Sequence, residues 1–110
     1  MTNDQQGLAL DPALREEALD VLRDALRWRL TARRWTGVEE VVAGLAAALR
    51  AGDVGVLRRR VHELELSGPV RATGIDEDPV VEPPDAVRPV LNALVRALEE
   101  DESGPAPGDR

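Results

Sequence analysis

The chain contains no cysteine, no lysine, no phenylalanine and no tyrosine. Without cysteine there are no disulfide staples, no thiolate nucleophile and no Cys-based zinc site. Without lysine there is neither a Walker A phosphate loop nor a Schiff base. A single histidine, His62, leaves no histidine pair to hold a metal. No apolar run reaches the length of a membrane span. The opening M-T-N-D-Q-Q-G lacks both the basic and the apolar regions of a secretory leader, so the expected address is cytoplasmic, with no membrane partner. G-x-S-x-G is also absent, and Ser67 before Gly68-Pro69 reads as an ordinary helix end. The expectation from these absences is a protein that is not an enzyme and carries no cofactor and no metal.

What remains is enough for one packed domain. The chain has 110 residues, of which 43% are hydrophobic, and these are mostly Ala, Leu and Val. Its charge is unevenly spread. Residues 1–36 balance six arginines against six acids, residues 37–72 balance five against five, and residues 73–110 set three against ten, so the net charge of −7 belongs to the last third. An acidic whole repels phosphate at long range, which disfavours nucleic acid as a partner.

Hydrophobic periodicity predicts an all-α fold, a compact bundle of about four helices at roughly 12–30, 32–51, 54–66 and 85–99, with an extended link at 69–84. In domain terms, residues 1–10 are expected to be a flexible N-terminus, 11–100 a single helical domain and 101–110 a disordered acidic tail. The first helix opens on Asp11-Pro12, a capping acceptor followed by a proline where no N–H is needed. Leu14, Ala18, Val21, Leu22, Ala25 and Leu26 then form one apolar stripe, with Arg15, Asp20, Arg23 and Arg27 outside.

In the second segment Trp35, Val38, Val42, Leu45 and Leu49 step by three and four, and Gly52 supplies a left-handed stop. Asp53 caps the third, where Val54, Leu57, Val61 and Leu64 face inward. The two-residue link makes these two helices an antiparallel hairpin. The apolar phase slips by one residue after Trp35, so the first and second helices break at Thr31 or at Thr36-Gly37, with Thr31 the working choice.

Four of the eight prolines fall in the link at 69–84, where Val70–Ala72 and Val80–Glu82 offer a weak two-strand pairing. Pro89 should kink the fourth helix or delay its start. The inward residues of that helix are Val87, Val90, Leu91, Leu94, Val95 and Leu98.

Polar side chains offer little chemistry. His62 reads as a partly exposed helix residue, because no nucleophile or ligand spacing accompanies it. Glu39 and Glu40 are adjacent and point about 100° apart on a helix, as a solvated face does. The binding candidates lie around the only two aromatic residues, in L-R-W-R-L-T-A-R-R-W from Leu26 to Trp35. Trp35 is in phase with its helix and reads as a core anchor. Trp28 falls where the first helix runs out, and core and surface both remain open for it. Arg23, Arg27, Arg29, Arg33 and Arg34 cluster around these indoles, and Arg58–Arg60 form a second group. Arginine beside tryptophan suits a protein interface, since both give large contact area and the guanidinium stacks on indole. The plainer reading of the arginines is a solvated face balanced by Asp20, Asp24, Glu63 and Glu65.

The segments A-L-D-V-L-R-D-A-L-R-W-R-L-T-A-R-R-W, G-L-A-A-A-L-R-A-G-D, H-E-L-E-L-S-G-P-V-R-A-T-G-I and L-N-A-L-V-R-A-L together resemble the CATRA-associated small proteins of actinobacteria, over roughly Ala18 to Leu98. The most specific pieces are R-W-R-L-T, Trp35 and L-S-G-P-V-R ending at Arg71. The resemblance implies a short, all-helical, non-enzymatic protein. It also implies association with NTP-dependent conflict systems that include caspase-like and TPR-bearing partners, and it supplies no catalytic motif. The expected function is therefore a helical adaptor or regulatory subunit docking a larger conflict-system protein through Arg27, Trp28, Arg29, Arg33, Arg34 and Arg71. The alternative is a small nucleic-acid-binding regulator that uses the Arg clusters. A homodimer closed by the Trp28 face is left open.

Overall fold

The computed structural model describes residues 10–69 and 79–103, with side chains to residue 100. Four helices surround one core: α1 (Pro12–Ala25), α2 (Ala32–Ala51), α3 (Val54–Leu66) and α4 (Arg88–Ser103). A two-residue strand β1 (Leu30–Thr31) pairs antiparallel with β2 (Val80–Val81), in the register Leu30 to Val81 and Thr31 to Val80. The fold class is all-α, as the periodicity predicts.

The boundaries of α2 and α3 match the expected ones because their signals are local. Thr31 is the N-cap of α2, its hydroxyl accepting from the Arg34 N–H at 3.2 Å. Gly52 ends α2 in the left-handed region at φ 71°, which its missing Cβ permits. Asp53 caps α3, its Oδ1 accepting from the Val56 N–H at 3.1 Å. The resulting α2–α3 hairpin packs on α1, and α4 closes the bundle mainly against α1.

The expected first helix is too long. α1 stops at Ala25, and successive i to i+3 bonds from the Arg27 N–H to Asp24 (2.8 Å) and from the Trp28 N–H to Ala25 (3.2 Å) unwind it. Residues 26–30 keep a helical apolar spacing, but Leu30 is buried as a strand residue opposite Val81, and that long-range pairing overrides the local pattern. Val80–Val81 thus find Leu30–Thr31, a partner not expected from the sequence, while Val70–Ala72 lie outside the described residues.

Three smaller points differ. Asp11 stands at the N-cap of α1 but its carboxylate makes no capping bond; its backbone carbonyl accepts from the Arg15 N–H at 3.0 Å. α4 begins at Arg88 rather than 85, after a turn in which the Val87 and Arg88 N–H groups both reach the Pro84 carbonyl at 2.9 Å. Pro89 thereby sits in the first turn, where it costs no hydrogen bond and delays the helix start. At the two ends, Leu10 is buried and α4 continues as far as Ser103.

The core collects Leu14, Ala18 and Leu22 of α1, Trp35, Val38, Val42 and Leu45 of α2, Leu57, Val61 and Leu64 of α3, Val87 of the turn before α4, and Leu91, Leu94 and Leu98 of α4. Trp35, at 1% exposure, is its largest member. Its indole N–H donates to the Val81 carbonyl at 2.8 Å, so the core anchor of α2 also holds β2. Ala48 takes the fully buried place at the end of the α2 stripe, and Leu49 packs beside it only half-buried.

Candidate functional site

The turn from α1 to β1 carries Trp28. Because α1 unwinds at Ala25, Trp28 projects from a loop and lies half-buried against the end of α3. A Cβ added to Gly68 would come within 2.8 Å of Trp28 Cζ2 and 3.1 Å of Cε2, so only glycine admits the indole at that distance. Arg34 fixes the same point from α2. Its Nη2 donates to the Gly68 carbonyl at 2.9 Å and the Ser67 carbonyl at 3.3 Å, satisfying acceptors that the helix end leaves open. Ser67 also donates its hydroxyl to the Glu63 carbonyl at 2.8 Å. The segments R-W-R-L-T and L-S-G-P are therefore in contact.

Trp28 separates two surfaces of opposite sign. On one side is a groove of about 450 Å³ between α1 and the end of α3, lined by Glu16, Glu17, Asp20, Asp24 and Glu65 with Ala13, Val21 and the indole. The Glu65 carboxyl is held above its ordinary value of 4.5, first by partial burial and then by its hydrogen bond to, and repulsion from, Glu17; His62 pulls the other way. The other side is a smaller cup of about 250 Å³ formed by Leu26, Arg27, Trp28 and Arg29 with Glu82 and Arg88. An Arg88–Glu82 ion pair at 3.3 Å crosses it. Leu66, two residues before Gly68, is 68% exposed.

The expected docking residues separate into three groups. Arg27, Trp28 and Arg29 are brought together at the cup, where Arg27 also meets Asp24 at 3.4 Å. Arg33 is exposed on the first turn of α2, while Arg34 turns inward to hold the end of α3 and is structural. Arg71 lies outside the described residues. In the second cluster Arg58 and Arg59 are exposed, and Arg60 pairs with Glu63 at 2.8 Å. His62 is exposed, 3.7 Å from Glu65. The acidic groove was not expected: Glu16 or Glu17, Asp20 and Asp24 at helical spacing ahead of Trp28 are its signal in the sequence. Among the described residues no group of three or more His, Asp or Glu side chains is arranged to hold a metal, and no helix is long and apolar enough to cross a membrane.

Fold and site together define a small all-α bundle marked by a charged surface around one half-buried tryptophan. The chain belongs to the CATRA-associated small protein family, whose model matches residues 17–102. That span takes in the acidic groove from Glu17 onward, the Trp28 turn and the end of α3 against which it packs. No curated protein and no solved structure matches the chain. The family's description associates its members with a larger system.

Proposed function

We propose that this protein is a non-enzymatic adaptor or regulatory subunit that docks a larger protein of a CATRA-associated conflict system through the Trp28 surface. The observation that carries this reading is the placement of Trp28. The indole is pinned by Gly68 yet half-exposed, with a carboxylate groove on one side and the Arg27–Arg29 cup on the other. Large, rigid aromatic anchors beside arginine give contact area at little entropic cost, and a pre-held anchor lowers the ordering cost of binding. The adjacent charges of both signs suit the recognition of a protein surface. The carboxylates of the neighbouring groove and the net charge of −7 repel phosphate at long range, which counts against a nucleic-acid ligand.

The partner fitting this reading is the CATRA-bearing component of the system, with NTP-dependent, caspase-like and TPR-bearing members further along the same assembly. Co-expression of the chain with that component and capture on the tagged partner tests it. Arg27→Glu/Arg29→Glu, both exposed and outside the core, is expected to abolish capture while leaving the circular dichroism spectrum unchanged. Full capture by that folded double variant, and equally by Trp28→Ala, would show the surface to be wrong.

A further inference from the structure

Most exposed helix faces of this chain are charged: α1 presents Glu16, Glu17, Asp20, Arg23 and Asp24, and α3 presents Arg58, Arg59, His62 and Glu65. The face between α2 and α4 is different. Two adjoining hollows of about 120 and 370 Å³ share Val90 and form a groove along the two helices. Its floor and walls are small or aliphatic, with Ala43, Ala46 and Leu49 from α2 facing Val90, Ala93 and Ala97 from α4. Two charged residues line it, Glu39 at one end and Arg50 at the other.

The order of residues along α2 identifies the occupant. Glu39, Ala43, Ala46 and Arg50 step by four, three and four, which places all of them on one line of the helix surface. The line reads the same from either end except that the charge changes sign. A two-fold axis midway along it sets Glu39 of one copy opposite Arg50 of the other, Arg50 opposite Glu39, and Ala43 opposite Ala46. An isologous contact has this requirement, that each patch complements itself. A helix from an unrelated partner has no reason to need opposite charges at the two ends. The eleven steps from Glu39 to Arg50 rise about 16 Å, three turns, enough for two ion pairs with small side chains between them, where helices approach to about 8 Å.

We infer that the α2–α4 groove docks a second copy of this chain, antiparallel along α2, closed by two symmetric Glu39–Arg50 pairs. The contact lies on other residues than the Trp28 surface and stands or falls separately from the proposed function. Its modest extent makes it a reversible dimer, formed at high concentration.

Sedimentation equilibrium of the full chain over a hundredfold concentration range tests this. The wild type should show a monomer–dimer equilibrium. Glu39→Arg or Arg50→Glu alone replaces both attractive pairs with like-charge contacts and should weaken dimerisation roughly tenfold. The double variant Glu39→Arg/Arg50→Glu restores both pairs in reversed order and should recover wild-type association. All these positions are exposed, so circular dichroism should be unchanged throughout. A wild-type chain that stays monomeric overturns the inference. So does a dimer indifferent to the single swaps, or one that the double swap fails to rescue. Loss of a different protein's binding in the single variants, with the wild type monomeric, would give the groove to that protein instead.

Discussion

Gly68 and Trp28 are in contact across the junction of α1 and α3, so closely that a methyl group on Gly68 would lie 2.8 Å from the indole. Gly68→Ala must therefore push the ring outward. Overpacking of this kind costs about 1–3 kcal/mol. The expected result is a lower urea midpoint together with a red-shifted tryptophan emission, since Trp35 stays buried and Trp28 gains water. A lowered midpoint with wild-type emission would mean that the backbone after α3, not the indole, gives way, and a variant unchanged in both would show that the contact is not tight.

Arg34 and Arg29 look alike in the sequence and should behave differently. Arg34→Ala removes the donor to the Ser67 and Gly68 carbonyls and should cost about 1–2 kcal/mol, with Arg34→Lys recovering only part because its shorter side chain brings the ammonium less far than Nη2, which makes both bonds. Arg29→Ala, on an exposed side chain, should stay within about 0.5 kcal/mol. Chemical denaturation of the three variants checks both statements.

Trp35→Phe keeps a ring in the core but removes the N–H that reaches the Val81 carbonyl. The lost hydrogen bond and the smaller volume together should cost about 2 kcal/mol. Amide exchange at Leu30–Thr31 and Val80–Val81 should accelerate more than exchange at the centre of α3, because the bond holds β2 in place.

The Glu17–Glu65 pair gives a pH dependence of definite sign. Partial burial and Glu17 raise the Glu65 carboxyl above 4.5. A raised folded value means that the protonated group favours the folded state. That contribution is complete below the unfolded value and is lost as pH rises through the folded one. Glu65→Gln is neutral at every pH and still offers an N–H to Glu17. Its Tm should match the wild type near about pH 4 and exceed it at neutral pH, and thermal melts across that window would show the gap opening.

Local signals made much of the fold legible. Thr31, Gly52 and Asp53 act within a turn of themselves, and the start of the α2–α3 hairpin and its tight turn follow from them. The same cap at Thr31 separates the two tryptophans into a core anchor and a half-exposed one. The end of α1 was hidden because Leu26–Leu30 carry a helical spacing while their structure is decided by Val80–Val81, fifty residues away, and two-residue strands have no periodicity to read. Arg34 was grouped with the surface arginines because its acceptors are backbone carbonyls, which no side-chain pattern announces. Asp20 and Asp24 read as solvated charge in the sequence because only the fold brings Glu65 and Trp28 beside them.

The β1–β2 bridge also has a kinetic consequence. The α2–α3 hairpin closes over a two-residue link, whereas the pairing of Leu30 with Val81 closes a loop of about fifty residues, which is entropically the more costly. Contacts with such a long loop to close form after the transition state in a helical protein. Weakening the bridge should therefore steepen escape from the native state and leave the refolding rate nearly untouched. In a stopped-flow chevron, Leu30→Ala would shift the unfolding limb while the folding limb overlays the wild type. The two-residue sheet would then act as a latch, determining how long the Trp28 turn keeps its shape rather than how quickly it is made.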